Sequence, residues 1–213
     1  SLYNFSEKTK LHFLVRSSAR QLSFTELYYN DKANLGSPDL KYEKATLYET
    51  GIKHSFLSLN LFLRDTKDIV DWIKWNPSDP YKATNIGDVR FYGCEFGGKK
   101  ILYGVETALR YSYTESPEVA DFISKYALRY AQHLLTGEIS YPVIWQIKQE
   151  IRGLYKKRIS GEEYFVMDTE LSKKFSFGEY YVAIDNILDK DYTEISLVPM
   201  APRIVRAGIK LTF

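Results

Sequence analysis

Cysteine, long apolar runs and an excess of charge of one sign are what this sequence has least of. The 213 residues include one cysteine, Cys94, which excludes an internal disulfide framework and a cysteine-rich metal site. No stretch approaches the ~18–20 consecutive apolar residues of a membrane-spanning helix. The formal net charge is only +2, so the basic footprint of a nucleic-acid-binding protein is missing and we expect no nucleic-acid partner.

What the sequence does have is aromatic residues and a period of two. Aromatic side chains make up 15% of the chain, with 18 Tyr against 3 Trp. Apolar and polar residues alternate along many segments, most clearly in the final run RIVRAGIKLTF, where apolar residues from Val205 to Phe213 point one way and Arg206 to Thr212 the other. This alternation indicates strands whose two faces meet different environments.

The alternation predicts an all-β protein of about ten strands. They are expected near 9–17, 45–55, 57–70, 86–97, 100–114, 133–141, 144–158, 164–175, 180–195 and 203–213. Tight connectors, predicted at 55–57, 97–99, 141–143 and 177–179, alternate with longer polar ones at 18–44, 71–85, 115–132, 159–163 and 196–202. Long strands joined by alternately short and long connectors are typical of an antiparallel, up-and-down transmembrane β-barrel.

One connector carries a helix signal. Ser116 is suited to an N-cap position, Pro117 to the first helical position, and apolar residues then follow a helical spacing up to Tyr130. We therefore expect a short helix within this outer loop.

Four segments together resemble a known family, the TonB-dependent outer-membrane receptors. They are Ala19–Tyr29 (similar to R-x-P-S-F-x-E-L-Y), Gly36–Lys53 (similar to G-N-P-x-L-x-P-E followed by Y-E-x-G-x-K), Ala83–Glu95 (similar to N-x-G…G-x-E) and Val182–Tyr192 (similar to V-x-N-L-F-D-K-x-Y), followed by a strand ending at Phe213. Leu22, Ser37 and Tyr42 depart from the family pattern. The segments occur in the family's order and cover nearly the whole chain.

The resemblance implies that residues 1–213 are the C-terminal part of a 22-stranded barrel. The plug domain and the N-terminal strands would then lie outside this chain, which also does not begin with Met. The implied function is active uptake of an iron chelate (siderophore or haem) or a cobalamin-like ligand across the bacterial outer membrane. The implied partners are outer-membrane lipid, the small-molecule ligand, the plug and the remaining strands, and the TonB energy-coupling complex acting through the plug. No cofactor and no enzymatic activity are expected.

Two sets of residues are candidates for function. Aromatic residues of the outer loops suit contact with a flat or hydrophobic ligand, or alternatively a role in loop packing or an interfacial girdle: Tyr28, Tyr29, Trp72, Trp75 and Tyr81. Charged residues on the polar parity of the strands would face the barrel lumen, where they guide an anionic chelate or brace the wall and plug: Arg16, Arg64, Arg110, Arg152, Arg206, Glu106, Glu150, Asp168 and Glu170.

Other readings of the sequence remain open at this point. His12, His54 and His133 are far apart and show no metal-ligand spacing, so no metal site and no catalytic site are expected. A complete small outer-membrane barrel, acting as a passive pore or a barrel enzyme, is the main alternative. A soluble all-β binding module is a further one, and it predicts apolar faces buried against a second sheet.

Overall fold

The computed structural model describes residues 2–6, 8–117, 121–195 and 198–211, and nearly all of its regular elements are strands. One short helix, α1 (Phe24–Tyr28), lies within these ranges. The strands, in chain order, are β1 (Leu2–Asn4), β2 (Thr9–Arg20), β3 (Asn34–Leu35), β4 (Glu43–His54), β5 (Leu57–Lys67), β6 (Val70–Lys74), β7 (Tyr81–Asn85), β8 (Val89–Leu102), β9 (Val105–Glu115), β10 (Ile123–Ser124), β11 (Ala131–Pro142), β12 (Ile147–Arg158), β13 (Glu163–Phe175), β14 (Gly178–Asp185), β15 (Thr193–Ile195), β16 (Val198–Pro199) and β17 (Ile204–Leu211).

The long strands form one antiparallel sheet in the order β1-β2-β4-β5-β8-β9-β11-β12-β13-β14-β17. The ten predicted strands are confirmed, and each pairs with its neighbour along the chain as an up-and-down meander. The edge strand β1 was not predicted; it pairs with β2 through Leu2–His12 to Asn4–Lys10. The last predicted strand was expected to end at Phe213, but Thr212 and Phe213 lie outside the described ranges.

Cross-strand register gives this sheet an apolar face that nothing covers. Register partners join one continuous apolar row over eight strands: Leu11, Ile52, Leu59, Phe96, Tyr111, Leu135, Tyr155 and Phe165. Most of these side chains are exposed, Leu59 at 41% and Phe165 at 44%. A soluble sandwich would bury this face against a second sheet, so the arrangement is that of a barrel wall and not of a sandwich.

Most of the buried apolar residues lie among the long connectors, and the others, Val89, Tyr164, Val166 and Ala183, lie on wall strands. A second sheet, in the order β10-β6-β7-β3, is built entirely from three of them. Ile69, Val70, Ile73 and Ala83 are buried there. The larger part of the buried apolar core therefore belongs to the loop assembly, which we call the loop sheet (β3, β6, β7 and β10).

An ionic cluster fastens the loop sheet to the wall. Arg20, at the end of β2, donates from Nε to Oε2 of Glu43 at 2.7 Å and from Nη1 to Oε2 of Glu26 at 3.0 Å. The backbone N–H of Val70 donates to Oε1 of Glu43 at 2.7 Å. Glu26 also closes a capping box with Ser23 at the start of α1. The guanidinium of Arg20 thus joins the helix to the wall, and Glu43 connects both to strand β6 of the loop sheet.

The helix predicted over 116–130 is wrong within the described residues. Residues 118–120 lie outside them; beyond these, Ile123–Ser124 is strand β10, flanked by bends and turns. The physical reason is a competing acceptor: the carboxylate of Asp71 takes hydrogen bonds from the Ser124 hydroxyl and from the Tyr126 N–H, at 3.1 Å for the latter. The helix α1, which the sequence prediction missed, lies in a different connector, the one predicted at 18–44.

Three further predictions, concerning strand ends and connectors, also need correction. The turn expected at 97–99 lies at Tyr103–Gly104, where both residues have positive φ (52° and 81°), as hairpin turns that follow the strand twist require. The strand predicted over 180–195 ends at Asp185, so its outer connector is longer than expected. The connector at 159–163, expected to be long, is a tight turn that ends before Glu163.

The two faces of the wall should respond oppositely to a new charge. Leu61 is 51% exposed on the apolar face, whereas Ser112 lies on the polar face opposite Glu95. In the full-length natural chain refolded into lipid vesicles, we expect Leu61→Arg to lower the free energy of unfolding by about 2–4 kcal/mol, as lipid-facing arginines at the midplane do. Ser112→Arg, the matched control, should change it little. Equal effects in denaturant titrations would contradict a lipid-facing apolar surface.

Candidate functional site

The nine charged residues predicted on the polar parity all lie on one face of the wall. The register forms rows across the strands: Glu106–Ser140–Glu150–Glu170–Ala183–Arg206 is one, and Ala108–Glu138–Arg152–Asp168 is the next. Arg110 lies one row further along its strand, β9. On β2 and β5, Arg16 and Arg64 are both register partners of Leu47 on β4. We call this surface the polar face.

Some charged residues of the polar face form ion pairs. Arg206 binds Asp185 through two hydrogen bonds, at 2.6 and 2.8 Å, and does not pair with Glu170. Glu170 lies 3.9 Å from the ammonium of Lys210 instead. Arg152 approaches Glu150 at 3.5 Å and is the register partner of Asp168. Arg206 therefore links β17 to β14, whereas Arg152 pairs with a residue of its own strand, β12.

Three arginines are left without such a partner. Within the described ranges, Arg16, Arg64 and Arg110 make no ion pair. Each lies on the polar face beside uncharged register partners, such as Thr136 opposite Arg110. An unpaired guanidinium is the group best suited to meet an anionic ligand.

The connector between β14 and β17 folds back over the polar face. Its first residue, Asn186, is 3% exposed and has a φ of 50°. The Asn186 N–H donates to Asp168 at 2.8 Å, and its side chain donates to the carbonyls of Lys190 at 3.0 Å and Ala201 at 3.3 Å. Asp189 accepts from the N–H of Arg203 at 2.8 Å. These contacts explain the Asn and Asp of the segment Val182–Tyr192, because they fix the shape of the connector.

Glu194 holds the same connector against β12 and β13. Its carboxylate accepts from Lys156 Nζ at 2.6 and 2.8 Å, from Arg158 Nη2 at 3.0 Å, and from the hydroxyl of Tyr164. The ring of Tyr192 packs on that of Tyr164, with centroids 4.7 Å apart. Burial alone would raise the pKa of Glu194, but the hydrogen bonds from Lys156 and Tyr164 outweigh it and lower the pKa. The carboxylate is therefore ionised at neutral pH and the connector stays attached.

A cavity of about 450 Å³ lies between the polar face and this connector. Its walls include Arg110, Arg152, Asp168 and Glu138 from the strands and Tyr192 from the connector. Cavities of this size accommodate small-molecule ligands. The mixture of an unpaired cation with hydrogen-bonding side chains is suited to contact with a polar solute.

The five predicted loop aromatics do not share one environment. Trp72 is buried at 8% exposure in the core of the loop sheet. Tyr81 lies between two cations, with Lys74 Nζ 4.8 Å and Lys125 Nζ 5.1 Å from its ring centroid. Lys125 also lies over Trp72 at 5.9 Å and donates to Asn34 at 2.9 Å. Trp72 and Tyr81 thus contribute to packing of the loop sheet in this structure.

The other three aromatics are presented to solvent. Tyr28 and Tyr29, at the end of α1, are 58% and 46% exposed, and Trp75, just beyond β6, is 59% exposed. The Tyr29 hydroxyl donates to Asp31 at 2.9 Å. Of the predicted set, these are the residues available for contact with a ligand.

The sequence analysis missed Lys125, Asp71, Ser124, Asn186 and Glu194 as organising residues. Their signal is weak because each acts through a partner distant in the chain; Asp71 and Ser124, for example, lie on β6 and β10. Asn186 was visible only as part of a motif. Neither pattern nor spacing predicts which carboxylate will be buried.

Two further features concern metal ligands and long helices. In residues 2–6, 8–117, 121–195 and 198–211, no group of three or more His, Cys, Asp or Glu side chains is arranged to hold a metal ion. Among those same residues, no helix has the length and apolar composition to cross a membrane.

Comparison with known proteins connects this geometry to one family. The family model described as "TonB dependent receptor-like, beta-barrel" matches residues 2–193. No curated protein sequence matches the chain.

Solved structures resemble the chain over its whole length. They include the FrpB iron transporter of Neisseria meningitidis (F3-3 variant; TM-score 0.70, 17% identity, 100% of this chain and 37% of that one). The copper transporter OprC has a TM-score of 0.76 and 15% identity (100% and 38% covered). The siderophore receptor PirA of Acinetobacter baumannii has a TM-score of 0.73 and 14% identity (100% and 40% covered). At these identities the likeness establishes the fold, and the chain spans only 37–40% of the length of these proteins.

The Asp71 cluster yields a prediction about the loop sheet. Burial raises the pKa of Asp71, although Ser124 and the Trp72 and Tyr126 N–H groups donate to it. Asp71→Ala leaves those donors without an acceptor and should lower the opening free energy of residues 121–130 by about 1–3 kcal/mol. Asp71→Asn keeps an acceptor and should cost much less. Amide hydrogen exchange on the full-length chain measures both.

The opening free energy of the loop sheet should also depend on pH through Asp71, and the direction of the change can be predicted. Because the folded pKa of Asp71 is raised above the unfolded value, protonation favours the folded loop sheet. The opening free energy should therefore rise as pH falls through the raised pKa, and stop rising near the ordinary aspartate pKa. Asp71→Asn should remove this component, and a variant with an unchanged pH profile would exclude Asp71 as its source.

Proposed function

The chain belongs to the TonB-dependent receptor-like β-barrel family, and on that premise we propose that residues 1–213 form the C-terminal part of the barrel domain of an outer-membrane transporter for an anionic iron chelate. The observation that carries the proposal is the two-faced wall. One face is a continuous exposed apolar band, suited to lipid, and the other carries rows of charged residues, suited to a water-filled lumen. Matching relatives include an iron transporter and a siderophore receptor.

The wall needs further strands to be stable in a membrane. Within the described residues, β17 pairs with β14 along one side only, and β1 is a short strand at the other edge. Backbone groups at an open edge in lipid have no hydrogen-bond partners. We propose that N-terminal strands of the same protein close the barrel and that a plug domain fills it. The small share of each relative that this chain covers supports this arrangement.

The proposed route of the ligand follows the geometry. Tyr28, Tyr29 and Trp75 are exposed on the loops, where aromatic rings can stack on a chelate. The unpaired Arg110 lines the cavity on the polar face below. A complex of the TonB type acting on the plug would supply the energy for passage, and no covalent step is involved.

The function is tested in the organism that carries the gene. Deletion of the full-length gene should abolish growth when a ferric siderophore is the sole iron source, and a plasmid copy should restore it. Restoration should also require a working energy-coupling complex. Uptake that persists without the coupling complex would favour a passive pore, and hydrolysis of the supplied compound at the cell surface would favour a barrel enzyme; either result overturns the proposal.

Arg110 provides a sharper test of the polar face. We expect Arg110→Gln to raise the apparent KM for uptake of an anionic ferric siderophore by about tenfold, because one charge-assisted hydrogen bond contributes on the order of 1.5–3 kcal/mol. Lys148→Gln is the matched control, with the same charge change at the rim of short turns. It should leave KM unchanged. Equal shifts for the two variants would mean that only net charge matters.

A further inference from the structure

The glycines differ in the structural feature that requires a glycine, either a positive φ or a lack of space for a Cβ. Gly87, Gly104 and Gly161 have positive φ, which disfavours any other residue. Gly51, Gly93, Gly178 and Gly208 are crowded, since a Cβ there would meet another atom at 2.6 Å or less. Gly137 belongs to neither group: its φ is ordinary, and a Cβ would touch only Leu109 Cδ1 at 3.8 Å.

Gly137 is part of a row on the apolar face in which three of five residues are glycine. Its register partners extend the row across five strands, as Gly98–Leu109–Gly137–Gly153–Met167. Glycine weakens a strand because it has no side chain to pack and loses more entropy on folding. At Gly137 neither the backbone conformation nor a close contact requires a glycine. The remaining reason for a glycine there is the space left by the absent side chain.

That space is an apolar groove of about 610 Å³, within the range of small-molecule sites. Leu135, Tyr155 and Phe165 border it on one side, and Ile139 and Ile151 on the other. The Gly98 end of the row is nearer to the short turns than the Met167 end is. Gly98 is followed closely by the Tyr103–Gly104 turn, whereas more residues separate Met167 from the turn after Phe175. Since strands of such barrels tilt by about 35–45°, the groove runs obliquely from mid-wall towards the rim of short turns.

One cation lies at the rim end of the groove. Lys100 is on the apolar face, opposite Thr107, and its Nζ lies 4.5 Å from the ring centroid of Phe56, which also lines the groove. Within the described residues its ammonium has no carboxylate partner. An exposed ammonium at the end of an apolar channel complements a ligand with a hydrocarbon tail and an anionic head.

We propose that this groove holds one acyl chain of a phospholipid of the inner leaflet, with the phosphate of that lipid bound by Lys100. The proposal rests on the proposed function only in that the apolar face must meet the membrane with its short turns on the periplasmic side. Ordinary annular lipid exchanges freely, whereas a chain seated in the groove would bury methylene groups against five strands and remain through purification.

Native mass spectrometry of the full-length receptor, released from its own membrane in mild detergent, tests the groove. Wild-type protein should carry a phospholipid adduct. Gly137→Leu should lower its occupancy by about tenfold or more, since each excluded methylene weakens retention by roughly fourfold. Gly137→Ala should give an intermediate loss. Ala207→Leu, which places the same side chain on the apolar face outside the groove, should retain the adduct.

The head group is tested separately by adding phosphatidylglycerol or phosphatidylethanolamine to delipidated receptor. Lys100→Gln should reduce the preference for the anionic lipid while the groove still takes up acyl chains. Heat-modifiable migration on gels checks that each variant is folded. Equal adduct occupancy in wild-type and Gly137→Leu receptors would overturn the proposal, as would an adduct of protein mass. If siderophore uptake by wild type persists in that case, the groove alone is refuted and the transport proposal is not.

Discussion

Pairing of the backbone amides along the long strands is the constraint on which the rest of the structure depends. A wall that meets lipid must satisfy every N–H and C=O within itself, and an antiparallel meander does so strand by strand. The pairing also fixes the register, and a shift by one residue would exchange the two faces. Leu59 opposite Phe96 and Asn60 opposite Glu95 therefore follow from the same ladder. The apolar band and the charged polar face are two results of one set of hydrogen bonds.

Because the wall buries little of its own, the loops must build their core separately. They bury Trp72 and Ile73 between short strands, and such short strands leave many polar groups to be satisfied by side chains. Asp71 does this inside the loop sheet, and Glu43 does it where the loop sheet joins the wall. Each carboxylate is buried, and Glu43 remains favourable there because Arg20 supplies two charge-assisted hydrogen bonds to it. The loops are thus held in place by ionic contacts.

The sequence predicted the wall well and the loops poorly, for a physical reason. Strand identity depends on alternation, which is local, so all ten long strands could be placed. Glycine in 97–99 was interpreted as a turn because sequence cannot distinguish a glycine required by φ from one required by space. The helix predicted after Ser116 had local signals in its favour, but Asp71, which is remote in the chain, takes the Ser124 and Tyr126 donors. The burial of Trp72 likewise depends on three separate connectors meeting.

The polar cavity and the apolar groove lie on opposite faces of the same part of the wall. Gly137 and Gly153 line the polar cavity on one side and the apolar groove on the other. At these positions only the backbone separates Arg152, on the polar face, from the apolar groove. The paired backbone is sufficient as a barrier, because a ladder whose hydrogen bonds are all made presents no free polar group to either side. The same residues can therefore widen the route for a polar solute and leave room for a hydrocarbon chain, since the closed ladder keeps the two environments apart.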